Sequence, residues 1–405
     1  MTRNLPQLLK SIRVPRSFSP SQLFDLRNCA LRVLAKRAER YLPPPPSALH
    51  GILLHHVREQ MLLGRWGNKD SPEEAFDWIL EQASFRLDEL LAGEDKTKYM
   101  VPLRNTIGRR KWNQKTFESK LWAISSGLES CGQDPGLLEI ERTNDGVEYN
   151  GENNTCEEGA EALVKSRSLR ISGRADLIEK LNHNRLRITD FKSGKFIDSH
   201  GNPLPRYKLQ LGLYALVAEK VYPGRSIELR LDGARRLRVL WDRSLREFCS
   251  KALEEASQTY PAGTVMEANA LATPGSWCVG CGLRPRCQNY LNTVPAWWSN
   301  SGDRPRPLPI DVWGEVLETK IYDGATVLEM QDDGGRLIRI KGISMERDLT
   351  RLDVGKRVYF FDLKPTESLS SHGRRIHPLN FHDIPPDGGL VHSRATGLQI
   401  FMGES

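Results

Sequence analysis

Two strand-like runs joined by a short turn do most to narrow the possible folds of this chain. Leu169–Lys180 and Arg185–Lys192 alternate between apolar and polar residues, as strands with one buried face do. The Asn-His-Asn tripeptide between them is a turn sequence, so the two runs predict an antiparallel hairpin. A helix pattern follows over residues 207–221, and strand and helix then alternate again. The sequence therefore predicts an α/β core.

The hairpin carries charged residues in an arrangement that favours metal binding. Asp190 and Lys192 are two residues apart on one strand and share a face, while Asp176 lies on the preceding strand. Neighbouring carboxylates repel each other unless a cation lies between them, and Mg²⁺ or Mn²⁺ takes oxygen ligands of this kind. The alternative is an ordinary salt bridge on a surface hairpin.

Two helical motifs flank the hairpin in the sequence. Gln210 and Tyr214 are four residues apart on the following helix and share a face. His55 follows Gly51 by four residues on an upstream helix that can reach the same site. Packed core or helix-face residues are the alternative interpretation of both pairs. A short strand is also predicted at Leu137–Arg142 and contains two glutamates that are candidates for a further acid.

Taken in order, four motifs resemble those of a known family. Gly-x-x-x-His, Gly-Arg-x-Asp, Asp-Phe-Lys-Ser-Gly-Lys and Gln-x-x-x-Tyr are similar to the RecB-like branch of the PD-(D/E)XK nuclease superfamily. That branch includes the nuclease domains of RecB and AddB and the RecB-like CRISPR-associated exonucleases. The resemblance covers roughly residues 17–290. It implies a restriction-endonuclease-like core, in which helices flank a mixed sheet, and a metal-dependent deoxyribonuclease.

The same resemblance implies a role for each motif residue. Lys192 would be catalytic, and Gln210 and Tyr214 would position either the DNA strand or the lysine. The Mg²⁺ or Mn²⁺ ligands would be His55, Asp176, Asp190 and the carbonyl of Phe191.

Seven cysteines lie in the chain, and three of them are clustered near the end of the predicted core. Cys278-x2-Cys281-x5-Cys287 supplies three thiolates, and Cys29 is the candidate fourth. Cys29 lies on the first predicted helix, which begins with Ser19 as N-cap and Pro20 at its first position and runs towards Tyr41. A zinc site and unligated thiols are both compatible with this spacing. The resemblance implies a 4Fe-4S cluster that joins the start of the chain to the end of the core. Cys131, Cys156 and Cys249 are predicted to be ordinary thiols.

The sequence after the predicted core changes character. Residues 1–292 are predicted to form the nuclease domain, 293–309 a linker, 310–388 a small all-β barrel of the OB type and 389–405 a tail. Short alternating runs and an Asp-Asp-Gly-Gly turn support the barrel. It would bind either DNA or a protein. The candidate aromatic residues for base stacking include Trp313, Tyr359, Phe360 and Phe361.

Composition excludes little but is consistent with this interpretation. The formal net charge is +7, a modest excess that suits a polyanionic partner. No apolar run approaches the length of a membrane helix and no secretory signal is evident, so a cytoplasmic protein is expected.

Three functions remain open at this point. The first is a nuclease acting on single-stranded or partly single-stranded DNA, as an exonuclease or end-processing enzyme in repair or phage defence. It would act alone or with a separate helicase or defence protein. The second is a catalytically silent DNA-binding clamp subunit, and the third is an RNA-processing nuclease.

Overall fold

The computed structural model describes residues 3–4, 6–93, 103, 109–125, 154–182, 184–233, 235–299, 310–322, 325–335, 337–344, 353–365, 390–392 and 399–402. The strand predicted at Leu137–Arg142, with Glu139 and Glu141, lies outside these residues, and so does Cys131.

Helices and strands are numbered here in chain order. The helices are α1 (Pro20–Leu23), α2 (Ala30–Leu34), α3 (Pro46–Leu62), α4 (Pro72–Gly93), α5 (Arg109–Ser125), α6 (Pro205–Val221), α7 (Arg243–Thr259), α8 (Ala268–Leu271) and α9 (Gln288–Ser299). The strands are β1 (Arg3–Asn4), β2 (Ser11–Arg13), β3 (Thr155–Cys156), β4 (Gly159–Ser166), β5 (Ile171–Asn182), β6 (Arg185–Phe191), β7 (Ser226–Asp232), β8 (Arg236–Val239), β9 (Val265–Glu267), β10 (Ile310–Tyr322), β11 (Ala325–Asp332), β12 (Leu337–Ser344), β13 (Arg357–Pro365), β14 (Leu390–His392) and β15 (Gln399–Met402).

A six-stranded sheet forms the centre of the first unit. Its order is β3-β4-β5-β6-β7-β8, and β6 and β7 are parallel whereas the other neighbours are antiparallel. The predicted hairpin is confirmed, because β5 and β6 pair with Ile178 opposite Ile188. Helix α6 packs on this sheet and α7 packs on α6. The predicted α/β core, with a mixed sheet and flanking helices, is therefore what the structure shows.

A separate apolar cluster holds together the helices α3, α4 and α5. Its buried residues include Leu53 and Val57 of α3, Phe76 of α4 and Trp122 of α5. Phe191, at the end of β6, belongs to this cluster rather than to the main core. The helical layer therefore packs directly against the strand end that carries the charged motif.

The long helix predicted from Ser19 towards Tyr41 is wrong. Pro20 begins α1 as predicted, but the chain then passes through a 3₁₀ turn and restarts as α2 after Cys29. Cys29 has extended backbone angles (φ −158°, ψ 105°), which a continuous helix cannot contain. Ser19 contacts the hydroxyl of Ser21 (3.0 Å) and does not cap the helix.

The C-terminal strands form a sheet that closes on itself. Strands β10, β11, β12, β14 and β13 pair in that order, and β13 pairs again with β10. The β12–β14 pair is parallel and the other four are antiparallel. The predicted Asp-Asp-Gly-Gly turn joins β11 to β12, with Gly335 N–H donating to the Asp332 carbonyl (2.9 Å).

Both ends of the chain contribute strands to this unit. β1, at the very start of the chain, pairs with β15, and β15 pairs with β13. The predicted tail thus supplies β14 and β15, and α9 extends into the predicted linker as far as Ser299. A strand edge exposes unpaired backbone groups, so these terminal strands satisfy the outer edge of β13.

The aromatic residues proposed for base stacking are mainly core residues. Trp313, Phe360 and Phe361 are buried in the cluster that fills the C-terminal unit. Tyr359 is half-buried and stacks on Trp313, with ring centroids 5.8 Å apart. These rings are therefore engaged in packing.

Of the helices in the described ranges, none combines the length and the apolar character needed to cross a membrane.

Candidate active site

The middle of β5, the end of β6 and the first turns of α6 bring the predicted residues together. Asp190 is 1% exposed, and its Oδ2 lies 2.6 Å from Nζ of Lys192. Gln210 of α6 contacts both residues: its Nε2 donates to Asp190 Oδ1 (3.0 Å), and its Oε1 accepts from Lys192 Nζ (3.3 Å). Gln210 therefore fixes the carboxylate and the ammonium relative to each other.

Asp176 reaches the same place from β5. Its Oδ2 accepts a hydrogen bond from the backbone N–H of Phe191 (2.5 Å) and lies 3.6 Å from Nδ1 of His55 on α3. His55 thus faces the two aspartates across the end of the sheet. Its neighbour His56 is buried elsewhere, with Nδ1 3.6 Å from Glu59 on the same helix.

Tyr214 lies one step behind this group. Its hydroxyl donates to the carbonyl of Arg174 (2.5 Å), and its ring packs beside Gly173. A Cβ on Gly173 would come within 2.9 Å of Pro20 Cδ and 3.6 Å of the tyrosine ring, so the glycine allows this close packing. Tyr214 therefore holds the β5 segment that precedes Asp176.

The charges at the site influence each other strongly. Burial raises the pKa of Asp190 to about 6; Lys192 opposes this rise and Asp176 adds to it. Burial acts to lower the pKa of Lys192, but Asp190 and Asp176 outweigh it and the pKa is raised. The two carboxylates therefore hold Lys192 as a cation that can stabilise negative charge.

His55 carries no charge at neutral pH. Burial lowers its pKa to about 4, and the positive charges of Lys192 and Arg58 act in the same direction. A neutral imidazole keeps a lone pair for a metal ion. His55 can thus serve as a ligand without first losing a proton.

The donor set suits a hard divalent cation. Two carboxylates, a neutral imidazole and the nearby Phe191 carbonyl offer the oxygen and nitrogen ligands that Mg²⁺ and Mn²⁺ accept. Oδ2 of Asp190 is buried and has no hydrogen-bond partner of suitable geometry, despite its ion pair with Lys192. No three His, Cys, Asp or Glu side chains in the described ranges already enclose a single ion. The chemistry of these donors therefore fits the metal.

Two charged residues at the site were not predicted. Asp232 ends β7 beside Phe191, and its carbonyl accepts the N–H of Lys192 (2.8 Å). Arg58 lies one helical turn after His55 and places its guanidinium over the Phe191 ring. In the sequence, the spacing of three residues from His55 indicates that Arg58 shares a helix face with it.

The cysteine segment forms a second group of candidate ligands. Cys278, Cys281 and Cys287 lie within electrostatic reach of Cys29, whose thiol contributes to raising the pKa of each of them. All four are free of disulfides. The segment also contacts the connector before α3, where Gly282 O accepts from the N–H groups of Tyr41 and Leu42.

Burial makes these thiols poor acids. It raises the pKa of Cys278 and of Cys287 to about 12, while a backbone N–H from Gly275 and one from Tyr290 act in the opposite direction. A bound metal would displace these protons, because thiolates are the metal-binding form. Within the described residues these cysteines do not already enclose an ion, although four thiols with backbone donors to sulfur have the chemistry of a thiolate-held metal group.

Cys156 and Cys249, predicted to be ordinary thiols, are buried, and both precede the cysteine segment in the sequence. Burial raises the pKa of both to about 12, and Cys249 Sγ lies 3.9 Å from the Leu209 carbonyl.

Comparison with known proteins bears on the first unit. A search of curated proteins found no match. The family model described as the PD-(D/E)XK nuclease superfamily matches residues 17–288, which is more than half of the chain and contains every residue of the site above. The chain therefore belongs to the PD-(D/E)XK nuclease superfamily.

Proposed function

We propose that this protein is a metal-dependent deoxyribonuclease that acts on single-stranded or partly single-stranded DNA. The observation that carries the proposal is the linked group of Asp190, Lys192 and Gln210, with Asp176 beside it. Family membership supports phosphodiester hydrolysis, and the intact acidic and basic residues argue against a silent clamp.

Each residue of the group has a distinct part in the proposed reaction. Asp176, Asp190, His55 and the Phe191 carbonyl would hold Mg²⁺ or Mn²⁺. The bound ion supplies Lewis acidity toward the phosphate and toward a water molecule. Lys192 would stabilise the negative charge that develops on the phosphate as the water oxygen bonds to phosphorus and the P–O bond to the leaving sugar oxygen breaks. The attacking water would lose its proton to solvent, and the leaving oxygen would take up a proton from solvent. Gln210 keeps Lys192 against Asp190, and Tyr214 holds the strand before Asp176.

The C-terminal unit supports single-stranded DNA as the proposed substrate. Its closed ring, β10-β11-β12-β14-β13, has a parallel β12–β14 pair and resembles the five-stranded OB barrel. OB barrels commonly bind single strands. Since Trp313, Phe360 and Phe361 are packed in the core, contacts from cationic side chains to the phosphate backbone of DNA are the expected mode of binding. An exonuclease or end-processing role in repair or phage defence, with a helicase or defence protein as partner, is consistent with such a unit.

A cleavage assay tests the function directly. The full-length protein is incubated with end-labelled linear single-stranded DNA, circular single-stranded DNA, duplex DNA and RNA of one sequence. We expect Mg²⁺ or Mn²⁺ to support cleavage of linear single-stranded DNA, and EDTA to abolish it. Sparing of the circle identifies an exonuclease. Cleavage of RNA alone would instead assign the RNA-processing alternative.

The matched variant for that assay is Asp190→Asn, which keeps the size of the side chain and removes its charge. We expect this variant to be inactive with every substrate. If wild type and variant are equally inert yet both bind DNA, the clamp alternative replaces the nuclease.

The four converging cysteines are proposed to hold a 4Fe-4S cluster that joins Cys29 to the segment around Cys281. Such a cluster closes a loop of about 250 residues, which stabilises the fold by restricting the unfolded chain. The spacing Cys-x2-Cys-x5-Cys with a remote fourth cysteine supports iron over zinc by resemblance, and the structure is compatible with either.

Replacement of Cys287 by serine should remove the visible absorbance of protein purified without air and lower its melting temperature. The reason is that serine is a poor ligand for iron and leaves a cluster with three thiolates. Absorbance spectra and iron and sulfide analysis measure the effect, and Cys249→Ser is the matched control. A colourless wild-type protein that contains zinc would contradict the iron assignment.

A further inference from the structure

Arg58 is a buried cation at the back of the candidate active site. It is 2% exposed and lies on α3, one turn after His55. Its guanidinium carbon lies 5.4 Å from the centroid of the Phe191 ring and 5.0 Å from that of Trp122. Nη2 donates to Ser119 Oγ (3.3 Å), whereas Nε is buried without a hydrogen-bond partner. An apolar helix pair does not require such a charge.

The carboxylates of the site compensate this charge at longer range. Burial lowers the pKa of Arg58 to about 10, and Asp232, Asp176 and Glu118 act to raise it. Arg58 therefore stays protonated at neutral pH. Its charge also reaches His55, whose pKa it helps to lower. The guanidinium is thus electrostatically part of the site, although it lies behind the Phe191 ring.

A fixed buried cation has opposite effects on the two things that the site must bind. It repels a divalent metal ion and so weakens metal binding. It attracts the phosphodiester and the further negative charge that develops on it during hydrolysis. Lys192 is balanced by Asp190 in a close ion pair, whereas Arg58 has no such close pair in the described structure, so its field extends into the site.

We propose that Arg58 is a positioning residue that lends a permanent positive charge to the metal site and so favours the phosphate at the expense of metal affinity. The inference rests on the proposed function, because the metal and the phosphodiester are those of that reaction. Arg58 acts through the field and through packing on Phe191, and it does not touch the substrate.

The proposal is testable because loss of the Arg58 charge should change metal affinity and catalytic efficiency in opposite directions. Arg58→Met keeps a long apolar side chain over the two rings and removes the charge. We expect this variant to bind Mn²⁺ at least about threefold more tightly than wild type and to show a kcat/KM for DNA lowered at least about tenfold. Arg58→Lys keeps the charge and should stay close to wild type in Mn²⁺ affinity.

Isothermal titration with Mn²⁺ on the full-length protein measures the affinity, and melting temperature monitors the fold. The Asp176→Asn variant identifies which heat belongs to the active site. A merely structural role for Arg58 predicts that Arg58→Met loses both Mn²⁺ affinity and activity, and that result overturns the proposal. Wild-type protein without an Asp176-dependent Mn²⁺ site would instead contradict the proposed function itself.

Discussion

Replacement of Lys192 by alanine should lower kcat for phosphodiester cleavage by about 10²- to 10⁴-fold. The ammonium is the cation closest to Asp190, at 2.6 Å, and it is kept protonated by two carboxylates. Its removal leaves the negative charge that develops on the phosphate without this partner. Single-turnover cleavage of labelled DNA measures the loss, because it isolates the chemical step from product release.

The control for this experiment is Lys195→Ala. Lys195 lies three residues later on the same loop and is exposed, so its loss should leave kcat unchanged. Mn²⁺ affinity of Lys192→Ala should be equal to or greater than that of wild type, because a cation beside the carboxylates has been removed. A Lys192→Ala protein that cleaves at the wild-type rate would refute the nuclease mechanism.

Local sequence patterns predict part of the arrangement of the candidate site residues. Strand alternation places Asp190 and Lys192 on one face, and the hairpin turn sets Asp176 beside them. The four-residue spacing of Gln210 and Tyr214 gives one face of α6, but it does not show that Gln210 contacts Lys192 whereas Tyr214 contacts the Arg174 carbonyl. That difference depends on where β5 meets the helix.

Contacts between distant residues explain what could not be predicted. Cys29 interrupts the first predicted helix because its extended backbone brings its thiol toward a segment about 250 residues later. The β1–β15 pair joins the two ends of the chain, and neither strand is long enough to produce a recognisable alternation. Arg58 is hidden for a different reason, since a charged residue in an amphipathic helix is usually interpreted as solvent-exposed.

A second large effect is expected at Arg284, which joins the two units. Its guanidinium is 1% exposed and contacts both carboxylate oxygens of Asp311 (3.1 and 2.9 Å) and one of Asp362 (2.5 Å). Tyr290 donates to Asp311 as well (2.6 Å). Asp362 has a positive φ of 63°, a conformation uncommon outside glycine, and its N–H donates to Asp311 (2.8 Å). The network therefore ties the cysteine segment to β10 and β13.

Replacement of Arg284 by methionine should destabilise the docking of the C-terminal unit by about 3–5 kcal/mol. The expected loss of stability is this large because the substitution leaves the buried carboxylate of Asp311 without its cation. Asp311 is fully buried, its pKa is already raised to about 6 by burial, and Arg284 is the cation that opposes this rise. Hydrogen exchange on β10 and β13 and limited proteolysis of the full-length protein measure the docking, and denaturant unfolding measures the free energy.

Arg357→Met is the matched control, because Arg357 forms a comparably short pair with Asp333 (2.6 Å) at the surface, where both side chains are about 40% exposed. Exposed pairs of this kind contribute about 0–1 kcal/mol to stability.

Adding Asp311→Asn to Arg284→Met should restore part of the lost stability, since the double variant no longer buries an unpaired charge at position 311. Arg284 lies between Cys281 and Cys287, so docking of the C-terminal unit should also depend on the cysteine segment. If Cys287→Ser leaves the rate of hydrogen exchange on β10 unchanged, the cysteine segment does not support the C-terminal unit.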